Sequence, residues 1–200
     1  MDDLTHAITP AMVAFVFATT AAPGPNAALM LAVGARLGLR AGLPVLFGLA
    51  AANALAKGAI AASVRWLAGL DPLVIEVGTW VAVGLTLWLA WRLVRRMGGL
   101  GTGARVAGFW DAFAFQLANP KVAITGLAAA TLFCVGRVDE VGHAVSFGAV
   151  AFPSVLVGAG AWLLIGWAGG RWLQGPRAVR AMNLAVGALL VGAMVPVLLG

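Results

Sequence analysis

The chain carries a single cysteine, Cys134, which excludes an intramolecular disulfide and any paired-cysteine redox centre. Its expected role is that of a small apolar residue. Charge is also scarce: Asp, Glu, Lys and Arg make up 10% of 200 residues, and only seven of these are acidic. The two histidines, His6 and His143, have no neighbours at metal-ligand spacing and read as interfacial residues beside spans. The apolar stretches hold no Ser and His pair, no histidine cluster and no acidic pair. An intramembrane enzyme or electron carrier would therefore lack a reaction centre, and no enzyme, cofactor or metal is expected.

What fills the chain instead is hydrocarbon. It is 62% hydrophobic, with a mean hydropathy of +0.99, more than a water-soluble domain tolerates on its surface. The net charge of +6 would suggest nucleic acid in a soluble protein. Here the basic residues lie mainly between apolar runs and read as topology signals, so no nucleic-acid partner is expected. Ala11–Ala22 ends in small residues as a signal peptide does, but Asp2 and Asp3 replace the positive start such a peptide needs. The segment reads as retained.

With charges as punctuation, six apolar runs emerge: 11–35, 43–64, 73–91, 109–135, 144–170 and 181–199. A spanning helix needs roughly 20 such residues at about 1.5 Å each. The expected fold is an all-α integral membrane protein of six transmembrane helices, one domain over residues 1–200. Residues 92–108 combine Arg92, Arg95, Arg96 and Arg105 with Gly98, Gly99, Gly101 and Gly103 and read as a flexible basic loop. Arg36, Arg40, Arg171, Arg177 and Arg180 fall on the same side as that loop. Asp2, Asp3, Asp71, Glu76, Asp139 and Glu140 fall on the other. The basic side is expected to be cytoplasmic and both termini external. Trp66, Trp80, Trp91, Trp110 and Trp172 sit near span ends, where indole rings favour the interface.

The halves, about 1–97 and 106–200, echo each other: Val81–Leu85 resembles Leu184–Ala188, and spans one and four each have a proline-and-asparagine interruption. Three spans per half would insert the second half upside down, as in inverted-repeat transporters with a midplane site. In span one, Pro23-Gly24-Pro25-Asn26 should break the helix, because proline lacks the backbone donor and clashes with the preceding turn. The freed carbonyls must find protein or cavity water, so the break should face the interior. Asn26 either satisfies that backbone or lines a substrate pathway.

In span four, Asn119-Pro120-Lys121 forms a second break, about 18 Å from a start at Phe109. A lysine at that depth is expensive. It either reaches helix-end carbonyls freed by Pro120, snorkels, binds a substrate carboxylate, or exchanges a proton and so couples transport to protons. Asp111 reads as an inner-interface residue. In span two, Asn53 is an interhelical contact or part of the pathway. Lys57, on the same face, is expected to snorkel outward, with a pathway role as the alternative. Gly34, Gly38, Gly42, Gly48, Gly58, Gly84, Gly187 and Gly192 read as close-packing positions.

At these residues the chain resembles the LysE/RhtB family of amino-acid exporters. Pro23-Gly24-Pro25, the small-residue stretch from Gly34 to Gly48, and Asn119-Pro120-Lys121 carry the likeness. Gly84–Trp88 and Asn183–Gly192 fit more loosely, and the likeness spans the chain in order. It implies export of small amino acids or related amphoteric metabolites from the cytoplasm, residence in the inner membrane and drive by the proton-motive force. It also implies that the paired breaks line the translocation path, which makes Pro23, Gly24, Pro25, Asn26, Asn119, Pro120 and Lys121 the candidate pathway residues, joined by Asn53 on its own position in span two. The fifth span lacks the aspartate of some homoserine and threonine exporters, so the substrate stays open. A non-transporting scaffold would use the small-residue faces equally well. Homo-oligomerisation is likewise open.

Overall fold

The computed structural model describes residues 8–67, 69–98, 108–134 and 140–170, and every regular element among them is an α-helix. The expected sixth span at 181–199 lies outside the described residues, as do His6, Asp2, Asp3, Arg105, Asp139, Arg171, Trp172, Arg177 and Arg180. Helix α1 spans Pro10–Ala21; Pro10 opens its first turn, and Thr9 Oγ1 accepts a hydrogen bond from the Met12 amide at 3.2 Å. It ends before the proline motif for a local reason. A residue preceding proline is pushed out of the helical region, and both Ala22 (φ −56°, ψ 141°) and Gly24 (φ 178°, ψ −168°) are extended.

Helix α2, Pro25–Ala62, begins again with proline in its first turn and contains one non-helical residue, Gly38 (φ 80°, ψ 178°). That conformation is essentially restricted to glycine. Gly38 was expected to be a packing position; it is instead the point where the chain doubles back. Before it, Leu31 lies against Gly166 and Ala35 against Gly170; after it, Gly42 lies against Leu163 and Gly58 against Ala144. The two arms of α2 therefore run in opposite directions along one partner helix. A short helix α3 (Val64–Leu67) follows.

Helix α4 covers Pro72–Gly98. It carries Arg92, Arg95 and Arg96 as a helical extension rather than as loop, because Arg and Leu sustain a helix until the first glycine arrives. Helices α5 (Phe109–Leu117) and α6 (Pro120–Phe133) are separated by Ala118 and Asn119, and α7 runs Glu140–Gly170. Two helices, Pro25–Ala62 and Val141–Gly170, are long and apolar enough to cross a membrane.

Glycine makes the close crossings possible. A Cβ on Gly34 would meet the Leu163 carbonyl, one on Gly48 the Phe109 carbonyl, and one on Gly58 would stand 2.8 Å from the Ala144 carbonyl oxygen. Backbone atoms cannot yield as a flexible side chain does, so these positions admit no larger residue without shifting a helix. Among the described residues nothing lies within 4 Å of the Cβ position of Gly84.

The buried apolar residues form two clusters. One gathers Ala28, Met30, Val33, Val45, Leu49, Phe115, Val155 and Leu163. The other gathers Met12, Val16, Ala61, Val64, Ala129, Cys134, Phe147 and Ala151. Along α2 the first cluster ends at Ala50 and the second begins at Ala61; along α7 the change falls between Ala151 and Val155. The two clusters are thus stacked along the helix axes. Leu55, Phe47, Val13 and Leu132 point outward from both layers.

Candidate functional site: a polar cleft at two helix breaks

Between the two apolar layers the chain places its polar interior. The end of α1 leaves carbonyls that no helical amide can reach. The Ala22 carbonyl accepts from Lys121 Nζ at 2.8 Å, the Pro23 carbonyl from the same nitrogen at 3.3 Å, and the Ala21 carbonyl from Trp162 Nε1 at 3.2 Å. Side chains of α6 and α7 thus close the first break. Gly24 leaves room for this: a Cβ there would stand 3.1 Å from Lys121 Nζ.

The second break is closed locally. Asn119 is extended (φ −74°, ψ 111°), as its position before Pro120 requires. Its Oδ1 accepts from the Lys121 amide at 3.0 Å, capping α6, whose first residue is Pro120. Its Nδ2 donates to Asn26 Oδ1 at 3.4 Å, so one side chain caps a helix and ties the two breaks together.

A small, partly open cleft with a cavity volume of about 20 Å³ lies at this level. Gly24, Pro25, Asn26, Asn53, Asn119 and Lys121 line it. Of the remaining residues expected in a pathway, Pro23 presents its carbonyl to Lys121, and Pro120 opens α6 without lining the cleft. Sequence reasoning passed over Thr19, Thr20, Ala22, Val122 and Thr125, which complete the lining. The available signal was a hydroxyl within one turn of each break.

Lys57 was expected to snorkel, and here the structure differs. It is 1% exposed, lines the cleft and donates to Thr20 Oγ1 at 3.4 Å. The reason is packing: Lys57 lies between the two apolar layers, with its Cγ 3.5 Å from the Cβ position of Gly126 on α6. Asn53, one turn before it, is 3% exposed, and its Oδ1 has no hydrogen-bond partner among the described residues. Gln116, three residues before Asn119, is wholly buried with neither side-chain amide atom partnered. It was missed too. His143, expected at an interface, is buried, because the start of α7 packs on the end of α2 at Gly58. Asp111 Oδ2 accepts from the Gly108 amide at 3.3 Å, at the start of α5 and away from the cleft lining.

The cleft can hold a small polar molecule by its charges and amides. Among the described residues its lining contains two lysines and neither Asp nor Glu, and both α2 and α6 begin there, so two positive helix ends add to the lysine charges. Among the described residues no group of three His, Cys, Asp or Glu is placed to hold a metal ion.

The whole chain can be set beside known proteins. It is 25% identical over 189 residues to the cysteine/O-acetylserine efflux protein of Escherichia coli (strain K12), covering 94% of this chain and 96% of that protein. To the protein of the same name from Salmonella typhimurium (strain LT2) it is 28% identical over 131 residues, covering 65% of this chain and 67% of that one. No family model matches the chain, and no solved structure does.

Proposed function

We propose that this protein is a secondary transporter of the LysE/RhtB type that exports amino acids or related small amphoteric metabolites across the bacterial cytoplasmic membrane, with the cleft between the two breaks as its substrate site. One observation carries the reading: polar groups that a membrane should exclude converge between two apolar layers, at the two places where helices end. The efflux proteins to which nearly the whole chain is similar support the same conclusion and favour transport over catalysis.

A zwitterion needs a cationic or helix-N-terminal contact for its carboxylate and an acceptor for its ammonium. Lys121 and Lys57 supply the first, and Asn53 and the backbone at the breaks supply the second. The paired arrangement of α1 with α6 and of the second arm of α2 with α7 supports two inverted halves. Phe15 near Phe133 and Ala22 near Lys121 make the first pair antiparallel, while Gly42 near Leu163 and Gly58 near Ala144 do the same for the second. In this reading the halves rock about the fixed cleft, protons drive the cycle, and both termini face outward.

The scaffold alternative is less well supported. Gly34, Gly48, Gly58, Gly166 and Gly170 are already occupied by contacts within the chain, and a scaffold has no use for a lysine-lined interior. The test is efflux of radiolabelled amino acids from loaded vesicles, with and without a protonophore. Lys121→Ala and Asn26→Ala are expected to abolish efflux at normal membrane abundance, and a protonophore to stop it in the unaltered protein. Undiminished efflux from both variants would remove the cleft from the mechanism.

A further inference from the structure

The charge balance of the cleft identifies the class of its ligand. Lys57 and Lys121 face one cleft whose lining, among the described residues, holds no carboxylate, and the N-terminal ends of α2 and α6 meet there. Lys121 is partly compensated, since two of its three N–H bonds reach the Ala22 and Pro23 carbonyls. Lys57 is not. Among the described residues its Nζ makes one hydrogen bond, to a neutral hydroxyl, at a residue 1% exposed.

Buried charge is stable only when paired. A neutral zwitterion would bring one carboxylate and a further ammonium, leaving the excess positive charge in place. A molecule with two carboxylates and one ammonium reduces it. One turn from Lys57, Asn53 Oδ1 is a buried acceptor with no partner, and Asn53 lines the same cleft. Two unmet needs therefore lie side by side: for anionic oxygen at Lys57 and for an N–H at Asn53.

We propose that the cleft takes a small carboxylate of net negative charge, an acidic amino acid, whose carboxylates are held by Lys57 and Lys121 and whose amino group donates to Asn53 Oδ1. This rests on the transport reading and narrows it: Lys57 selects for charge, and Asn53 separates amino acids from plain dicarboxylates.

The experiment is calorimetric binding to the full-length protein in lipid nanodiscs, with aspartate, succinate, alanine and 1,4-diaminobutane as probes, alongside efflux of aspartate and alanine from vesicles. Aspartate is expected to bind at least tenfold more tightly than alanine, and the diamine not to bind. Lys57→Gln should erase the preference for aspartate over alanine, while Lys57→Arg keeps it. Asn53→Ala should weaken aspartate and leave succinate unchanged. The unaltered protein's own ranking decides the matter even if a variant fails to fold. Alanine bound and exported as well as aspartate would overturn the anionic class and leave amino-acid export standing. Neither amino acid bound nor exported would overturn both.

Discussion

After α1, the Ala21, Ala22 and Pro23 carbonyls are met by side chains from two distant helices, Trp162 on α7 and Lys121 on α6. After α5, the chain needs no distant donor to restart: Asn119, already extended because a proline follows it, caps the next helix with its own side chain. The first break is thus a tertiary feature, and the second a local one. The difference lies in the residues. Pro-Gly-Pro offers no side-chain hydrogen-bonding group and removes two donors, whereas Asn-Pro brings its own cap. A break held by distant donors can open when those donors find a better partner, and in the transport reading proposed above a substrate carboxylate competes for Lys121 with the Ala22 and Pro23 carbonyls.

Removing the tertiary repair should have the largest effect. Lys121→Ala leaves both carbonyls without their charged donor, and a hydrogen bond to a charged group contributes about 1.5–3 kcal/mol. Loss of that order is expected in denaturant unfolding of the purified protein, together with loss of efflux. The local repair should matter less: Asn119→Ala removes a helix cap, at a cost of about 1 kcal/mol, and frees Asn26. Asn119→Asp should recover most of the stability, because the cap needs only the oxygen; equal loss in both variants would show that the tie to Asn26 outweighs the cap. Trp162→Phe should have the smallest effect, about 0.5–1 kcal/mol, because it loses one neutral hydrogen bond and keeps an aromatic ring, whereas Asn119→Ala loses both a cap and the tie to Asn26. Efflux should survive it, since Trp162 does not line the cleft. If Trp162→Phe stopped efflux as completely as Lys121→Ala, the distinction between holding the break and binding substrate would fail.

Both proline motifs and Lys121 could be read from the sequence because proline acts locally and a lysine deep in an apolar run is conspicuous wherever it lies. The helix limits at Ala21 and Leu117 follow from chemistry within three residues. Lys57 was harder. Its distance along the helix allowed it to reach the surface, and only the packing of α6 across α2 at Gly126 shows that it stays inside. A reversal between residues 35 and 43 was legible from the break in the apolar run at Arg36 and Arg40, but not its place at Gly38, because a glycine in a small-residue stretch looks the same whether it packs or turns; only its φ of 80° separates the two. Thr20, Thr125 and Gln116 were missed for a related reason. Each is unremarkable alone and gains meaning from neighbours far away in sequence.

The central claim is that substrate occupies the cleft between the breaks, and substrate protection of a single cysteine tests it most directly. In a Cys134→Ser background, which removes the chain's sole cysteine, Thr125→Cys places a thiol in the cleft lining and Leu132→Cys places one on the outer face of the same helix. Saturating exported amino acid should slow maleimide labelling of Thr125→Cys several-fold and leave Leu132→Cys unchanged. Labelling of Thr125→Cys at the same rate with and without substrate, in protein that still exports it, would contradict the account.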